Sequence, residues 1–407
     1  MRLTLSALAF LLVLTTGYGQ VANLQQLRTD VVYLASDYLE GRETGRPGEQ
    51  LAADYIAWRM EAMGLSPKGT AGFMQPFTFT QRDNPHAATG TEITGTNVVG
   101  YLDKGAAATV VIGAHYDHLG LGGVSSLDAG EPAVHNGADD NASGVAALLW
   151  LAGELAKPDA PGANNYLFIA FSGEDLGLIG SKRWTEQPTV PLDQISYMFN
   201  MDMVGRLNPE RTLAVYGTGT SPVWDANLER IATADGFKLT TSPSGVGPSD
   251  HTSFYLKDIP VLHFFTGQHR EYHKPTDDVH LINFVGIYQV ARLQYHLIQA
   301  LDRGGKPAFT ATAQDDKERQ GASFKVTLGV MPDYVHAGTG MRVDAVLGGR
   351  AGEKAGMKDG DVVIGMGDME ITDIYGYMEA LSKFKAGDET TVKVQRGEEV
   401  VELPVVF

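Results

Sequence analysis

A histidine and an aspartate follow a run of apolar, β-branched residues, TVVIGA at 109–114, that has the composition of a buried strand. His115 comes directly after this run and Asp117 lies two residues further on. Imidazole is a common metal ligand, and a nearby carboxylate can hold its second ring nitrogen and so fix the tautomer. A hydrogen-bonded structural histidine is the alternative at such a strand end. The pair by itself leaves both interpretations open.

Two adjacent carboxylates, Asp139 and Asp140, lie in the glycine-bounded loop NGADDNASG at 136–144. They can serve as cap and first-turn charges of the helix that follows. A helix needs at most one capping side chain, however, and a bound cation would offset the repulsion between the two anions. The loop is therefore a second candidate for metal binding.

Three more strand-like runs, at 166–171, 195–200 and 260–265, are each followed by one or two residues that can bind a metal. Surface turns also carry acidic residues, but the carboxyl ends of parallel strands meet at the edge of a sheet where ligands bind. We therefore expect these side chains to converge with His115. They are Glu174, Asp175, Asp202 and His273.

The candidate ligands are His115, Asp140, Asp175, Asp202 and His273. The chain has no cysteine, so any metal must be held by His, Asp or Glu, and five such ligands are too many for one tetrahedral ion. Two divalent ions that share a carboxylate fit better, and a pair about 3.5–4 Å apart can activate water and stabilise a tetrahedral intermediate. Glu174, next to a ligand, is then the expected general base.

The motifs AHYDHLG, NGADDNASG, FSGEDLGLIGS, NMDMVGR and EYHKPTDD, in this order within residues 24–300, resemble those of secreted dinuclear-zinc aminopeptidases. Glutaminyl cyclases belong to the same superfamily. The resemblance implies an aminopeptidase with two Zn²⁺ per chain. It also implies a cis peptide bond after Asp140 and, where this chain has Asp175, a family position that is often Glu.

The resemblance assigns a role to each candidate residue. One zinc would be held by His115 and Asp202, the other by Asp175 and His273, and Asp140 would bridge them. Glu174 would be the general base, Asp117 the partner of His115, and Tyr272 a donor to the oxyanion.

The elements that must position these residues alternate between strands and helices over residues 24–300, which is typical of an α/β fold. We expect a mixed, largely parallel central sheet flanked by helices. Strands are predicted at 109–114, 166–171, 195–200, 213–216 and 260–265, and long helices at 143–156 and 283–302.

Four segments are predicted along the chain. Residues 1–19 read as a signal peptide, with Arg2, a short apolar run and small residues before a cleavage site. Residues 20–302 form the catalytic domain, and the Gly-, Pro- and charge-rich residues 303–323 form a linker. Residues 324–407 resemble a PDZ domain through Leu328-Gly329-Val330-Met331, the segment RAGEKAGMKDGDVVI and a helix after Ile374. A PDZ-like groove would accept a peptide C-terminus, and a packing or oligomerisation module is the alternative.

The chain of 407 residues carries a formal charge of −17, which argues against binding to nucleic acid or anionic membranes, and no apolar run reaches the roughly 20 residues of a membrane span. Together with the predicted signal peptide, the family resemblance implies a secreted or periplasmic zinc aminopeptidase, a metallo-exopeptidase acting on peptides with a free N-terminus. A glutaminyl-peptide cyclotransferase and a catalytically silent peptide-binding protein are the alternatives.

Overall fold

The computed structural model describes residues 24–81, 90–123, 125–128, 130–312, 326–332, 338–346 and 349–407. The predicted signal peptide and residues 313–323 of the predicted linker lie outside these ranges. We call residues 24–312 the main unit and residues 326–407 the C-terminal unit, and describe each separately.

The main unit contains a nine-stranded sheet. Its strands are β1 (Ser66–Pro67), β2 (Met74–Gln81), β3 (Thr91–Leu102), β4 (Thr109–His115), β5 (Asn165–Phe171), β6 (Ile195–Met201), β7 (Thr212–Tyr216), β8 (Lys238–Ser242) and β9 (Val261–Phe265). The order is β1-β3-β5-β4-β6-β9-β7-β8, and β2 pairs with β3. The central strands β5, β4, β6 and β9 are parallel, whereas β3 and β7 pair antiparallel with their central neighbours. The predicted mixed, largely parallel sheet is confirmed.

Helices cover both faces of this sheet. Residues 24–34 form helix α1, followed by α2 (Pro47–Ala62), α3 (Gly144–Leu155), α4 (Ile179–Glu186), α5 (Trp224–Asp235), α6 (His251–Tyr255) and α7 (Phe284–Leu301). Helices α1, α2, α3, α5 and α7 contribute to one large buried cluster, and α4 and α6 contribute to a second cluster that contains Trp184 and Phe254. Each predicted strand and long helix forms, and its ends lie within one residue of those predicted.

The central strands are buried along their whole length, which explains why they read as apolar runs without polar alternation. Gly113 permits close packing there, because a Cβ at this position would lie 2.7 Å from the Phe171 ring and 2.8 Å from the Met198 methyl group. The polar residues that follow each run are therefore delivered together to one edge of the sheet.

Residues 302–312, beyond α7, form neither helix nor strand but contact the main unit. The ring of Phe309 lies 5.4 Å from that of Tyr255, and the Thr312 amide donates to the Tyr255 hydroxyl at 2.9 Å. The Thr310 amide donates to the Thr220 carbonyl at 2.9 Å. This part of the predicted linker thus packs on the main unit, and the exact domain boundary stays a prediction.

The C-terminal unit is built on an antiparallel sheet of six strands. These are β10 (Val330–Pro332), β11 (Met341–Val346), β12 (Val362–Met366), β13 (Met369–Glu370), β14 (Glu389–Arg396) and β15 (Glu399–Val406). Helices α8 (Ala351–Lys354) and α9 (Ile374–Ser382) accompany the sheet over its own buried core. Strands β14 and β15 pair antiparallel on either side of the turn at Gly397-Glu398. Within the described ranges of both units, no helix is both long enough and apolar enough to cross a bilayer.

Candidate functional site

The predicted ligands meet at the carboxyl edge of the parallel strands. His115 is the last residue of β4 and Asp202 directly follows β6, so both are fixed by the sheet itself. Asp175 lies four residues beyond β5, Asp140 lies in the turn of residues 138–143 before α3, and His273 lies on the loop after β9. The sheet thus positions two of these residues directly and the loops position the other three.

One half of the site is formed around His115. Its Nε2 atom lies 3.3 Å from Asp140 Oδ1 and 3.3 Å from Asp202 Oδ1. We call these three residues the strand half of the site.

The other half is formed around His273. Its Nε2 atom lies 3.3 Å from Asp140 Oδ2 and 3.2 Å from Asp175 Oδ1. We call Asp140, Asp175 and His273 the loop half of the site. Asp140 therefore presents one oxygen to each half, which is the arrangement expected of a bridging carboxylate.

These donor atoms fit divalent metal ions. Atoms that bind zinc tetrahedrally at about 2.0–2.1 Å are separated from one another by about 3.3–3.4 Å, close to the distances found in both halves. The Nε2 atom of His273 is buried and makes no hydrogen bond, although carboxylate oxygens lie near it. Imidazole nitrogens together with carboxylate oxygens form a suitable ligand set for zinc.

The electrostatics of the site favour positive charge. Burial lowers the pKa of His115, but Asp202 and other carboxylates outweigh burial and raise it well above its usual value. Burial also opposes protonation of His273, yet Asp140 and Asp175 raise its pKa to about 11. A concentration of buried carboxylates of this kind is stabilised by cations.

Glu174 adjoins the candidate ligands. One of its carboxylate oxygens lies within 4.8 Å of ligand atoms of both His115 and Asp175. Burial, together with the charges of Asp175 and Asp202, raises its pKa well above the usual value, although His115 acts in the opposite direction. A carboxylate with a raised pKa next to a metal site has the properties required of a general base.

Asp117 connects the strand half to the loop that carries Glu174. The Nδ1 atom of His115 lies 3.3 Å from the Asp117 carbonyl oxygen and 3.7 Å from Asp117 Oδ1. The same Oδ1 accepts the backbone N–H of Glu174 at 3.2 Å, and Oδ2 accepts the Thr44 hydroxyl at 3.0 Å. Asp117 therefore lies where it can orient His115 and also fixes the Glu174 backbone.

The turn that carries Asp140 is held by Asp277. Asp277 Oδ2 accepts the backbone N–H of Asp139 at 2.9 Å and that of Asp140 at 3.0 Å. The Asp139 side chain in turn accepts the Gly205 amide at 2.6 Å and lies 3.2 Å from His269 Nε2. The peptide bond between Asp140 and Asn141 is cis, as the family resemblance implies.

A buried arginine joins three segments beneath the site. The Arg42 guanidinium donates hydrogen bonds to four backbone carbonyls, those of Leu34, Tyr116, Asn136 and Gly137. Burial lowers its pKa to about 10, and the carboxylates of the site act against this shift. Arg42 thus ties the end of α1 to the segments that carry the candidate ligands.

A recess opens beside the candidate ligands. Its lining includes the site carboxylates together with a wall of larger side chains, namely Met203, Tyr216, Pro248, His263, Phe265, Gln268 and Tyr272. The Tyr272 ring stacks on that of His273, with 3.9 Å between centroids. Tyr272 therefore borders the site, and its role as an oxyanion donor stays a prediction.

The structure adds residues to which the sequence analysis assigns no role. His118, within the AHYDHLG motif, is buried with its Nδ1 atom 3.1 Å from Asp175 Oδ2. Asp277 belongs to the EYHKPTDD motif, so the motifs contained a signal for both residues. Arg42 lies in a polar segment outside every motif, and nothing in the sequence distinguishes it.

Comparison with known proteins relates the chain to peptidases. Residues 97–298 match Peptidase family M28. The chain is 27% identical over 248 residues to Leupeptin-inactivating enzyme 1 of Streptomyces exfoliatus, a match that covers 60% of this chain and 48% of that protein. It is 30% identical over 168 residues to Aminopeptidase YwaD of Bacillus subtilis, covering 39% of this chain and 36% of that protein. These matches span less than half the length of either relative.

Two solved structures share the fold. A glutaminyl cyclase of Porphyromonas gingivalis aligns with a TM-score of 0.56 at 19% identity and covers 68% of this chain and 98% of its own. A zinc aminopeptidase of Bacillus subtilis aligns with a TM-score of 0.54 at 19% identity and covers 68% of this chain and 95% of its own. At this level of identity, the two alignments establish the fold.

Proposed function

We propose that this chain, related to M28 peptidases over residues 97–298, is a metallo-aminopeptidase that removes N-terminal residues from peptides. The observation that carries the proposal is the bridging position of Asp140. One of its oxygens faces the strand half and the other faces the loop half, at 3.3 Å in each case. Such an arrangement suits two zinc ions that act together on one substrate.

The ligands follow from these distances. His115 and Asp202 would hold one ion, Asp175 and His273 the other, and Asp140 both. When bound, the two ions would supply positive charge that polarises the scissile carbonyl and makes the attacking water more acidic.

The side chains of the protein would carry the proton. Glu174 would accept a proton from the water as the water oxygen bonds to the carbonyl carbon. It would then return this proton to the leaving amine as the C–N bond breaks. Asp117 would support both partners, since its carboxylate lies 3.7 Å from His115 Nδ1 and accepts the Glu174 amide.

The recess is suited to the first residue of the substrate. Its carboxylates would attract the α-ammonium group, while Met203, Tyr216 and Phe265 offer largely buried apolar surface to the side chain. We therefore expect apolar N-terminal residues to be preferred over acidic ones.

Metal analysis combined with a substrate panel tests the proposal. Metal-replete protein should contain about two zinc ions per chain and hydrolyse aminoacyl substrates, most rapidly those with apolar side chains. Protein stripped by a chelator should lose turnover and regain it with added zinc. Absence of aminoacyl hydrolysis in protein that holds two ions would overturn the proposal.

A glutaminyl-peptide cyclotransferase is the second candidate, because a glutaminyl cyclase shares the fold over nearly its whole length. In this reaction the substrate's own α-amino nitrogen attacks its side-chain amide and releases ammonia. Peptides that begin with glutamine discriminate the two reactions. Hydrolysis releases free glutamine, whereas cyclisation leaves a peptide with the same number of residues that has lost the mass of one ammonia. The complete five-ligand set favours hydrolysis.

Export and a peptide-binding C-terminal unit complete the proposal. The basic and apolar pattern of residues 1–19 supports secretion or a periplasmic location. In the C-terminal unit, Gly329 has φ +69 in the segment Leu328-Gly329-Val330 that precedes and begins β10. The PDZ-like interpretation makes this segment the receptor of a peptide carboxylate.

A further inference from the structure

His118 is a buried imidazole that faces the loop half of the site. Its Nδ1 atom lies 3.1 Å from Asp175 Oδ2 and 3.8 Å from Asp140 Oδ2. His273 approaches the same two carboxylates, and the two imidazole rings are 5.7 Å apart at an angle of 70°. Two imidazoles therefore converge on one pair of carboxylates.

The position of this ring is fixed by its surroundings. The His118 amide donates to the Arg42 carbonyl at 3.3 Å, and a β-bridge joins His118 to Glu43. The ring also packs on Gly137, where a Cβ would lie 2.6 Å from the imidazole Cδ2 atom. Gly137 thus lets the imidazole approach the turn that carries Asp140.

We propose that His118 is a direct metal ligand of the loop half, through Nδ1. The loop-half ion would then have two imidazole and two carboxylate ligands, a complete tetrahedral set. The distances from His118 Nδ1 to the two carboxylates bracket the edge of about 3.3–3.4 Å expected for such a set.

The arrangement around Asp175 supports this assignment. Its Oδ1 atom faces His273 and its Oδ2 atom faces His118, so each oxygen contacts a different imidazole. A role limited to orienting Asp175 needs a contact of His118 Nδ1 with that carboxylate only. Instead, Nδ1 also faces Asp140, towards the space that His273 Nε2 borders.

The inference rests on the proposed function only through the expectation of two ions, and its test does not depend on turnover. X-ray absorption of the zinc-loaded protein counts the imidazoles bound per zinc. If His118 is a ligand, the two ions together bind three imidazoles, those of His115, His118 and His273. If His118 is not a ligand, the two ions together bind two imidazoles.

Two variants sharpen the test. In His118→Ala the imidazole count should fall. The affinity for the ion of the loop half should drop by at least about 100-fold, beyond the ~10–100-fold typical of losing a residue that only hydrogen-bonds to a ligand. The ion held by His115 and Asp202 should remain, which also reports that the variant is folded. His118→Asn keeps an N–H donor near Asp175, so it would restore affinity only if the role is orientation.

The control is His280→Ala, because this imidazole is 72% exposed and outside the site. It should leave ion number, affinity and imidazole count unchanged. A count of two imidazoles in the parent protein would overturn the inference. So would an affinity of His118→Asn for the loop-half ion equal to that of the parent protein. Two ions with three imidazoles but no aminoacyl hydrolysis would instead contradict the proposed function alone.

Discussion

The two units of the chain differ in how completely their buried polar side-chain atoms are hydrogen-bonded. In the main unit, buried side-chain atoms without a hydrogen-bond partner include His118 Nε2, His273 Nε2 and both ring nitrogens of His251. Among the described residues of the C-terminal unit, none is found. There the buried Asp361 accepts two hydrogen bonds of 2.8 Å from Arg396. Polar groups in the C-terminal unit thus satisfy one another.

Two of these unpartnered nitrogens, those of His118 and His273, belong to the candidate site. Leaving a buried polar group unpaired costs about 1–3 kcal/mol, so a cluster of such groups persists where function requires it. Every group of residues arranged to hold a metal, within the described part of the chain, is in the main unit. We therefore expect changes in the main unit to affect turnover and changes in the C-terminal unit to affect stability or peptide binding.

The largest effect is expected for Glu174→Gln. Turnover of a small aminoacyl substrate should fall by about 10²–10⁴-fold, because the amide cannot accept the proton of the attacking water. Both ions should remain bound, since all five proposed ligands are intact. Steady-state kinetics and metal analysis of the same sample measure the two quantities, with Glu186→Gln, at a side chain that is 52% exposed, as control. Near-normal turnover with both ions present would remove Glu174 from the mechanism.

The next largest effect is expected for Asp277→Ala. The backbone N–H groups of Asp139 and Asp140 would lose their shared acceptor in a buried position, which should lower the free energy of unfolding by about 2–5 kcal/mol. Because Asp140 contributes to both halves, the affinity for both ions should also fall. Chemical denaturation and metal titration measure these effects.

The neighbouring Asp278→Ala is the matched control for Asp277→Ala. Its side chain is 44% exposed, accepts the Val279 amide and lies 3.7 Å from the exposed His280 ring, so a loss of at most about 1 kcal/mol is expected. Equal losses in the two variants would show that Asp277 has no special role in holding the turn.

The sequence predicts what the strands position directly. His115 and Asp202 lie at or next to the ends of buried strands, and a parallel sheet brings such ends together. The contribution of Asp277 depends on a loop that returns to the Asp140 turn from far along the chain, which no local pattern encodes. The role of Arg42 is even harder to predict from the sequence, since its partners are backbone carbonyls that carry no sequence signature.

A smaller effect is expected from truncation after Thr312. This variant keeps every proposed ligand and the contacts of Phe309 and Thr312 with Tyr255, so turnover of small substrates should stay within about twofold. If the C-terminal unit recruits peptides, KM for longer peptides should rise while kcat on small substrates is unchanged. Equal losses on both substrate sizes would show that the C-terminal unit supports the active site.

Truncation after Arg303 is the informative partner of that variant. It also removes the part of the predicted linker that packs on the main unit, including the Phe309 ring. We expect the free energy of unfolding to be lower than after Thr312 by about 1–2 kcal/mol, because the Phe309 side chain is only partly buried. Tryptophan fluorescence is a suitable probe, because Trp58, Trp150, Trp184 and Trp224 all lie in the main unit. Equal stability of both truncated chains would place the domain boundary at the end of α7.

The smallest effect is expected in the C-terminal unit, for Arg396→Gln. Burial raises the pKa of Asp361, but Arg396 and the Lys358 amide outweigh burial and hold it below its usual value. The ion pair therefore stabilises this unit above about pH 4, the ordinary Asp pKa, and this stabilisation is lost as the pH falls through the lower, folded pKa. At neutral pH the variant should lose about 1–3 kcal/mol of unfolding free energy, measured by hydrogen exchange of the β14 and β15 amides in the full chain.

The control is Lys393→Gln, which breaks an exposed pair with Glu402 and should cost less than about 1 kcal/mol. Turnover should be unchanged in both variants, and a loss of turnover in Arg396→Gln would show that the two units are coupled.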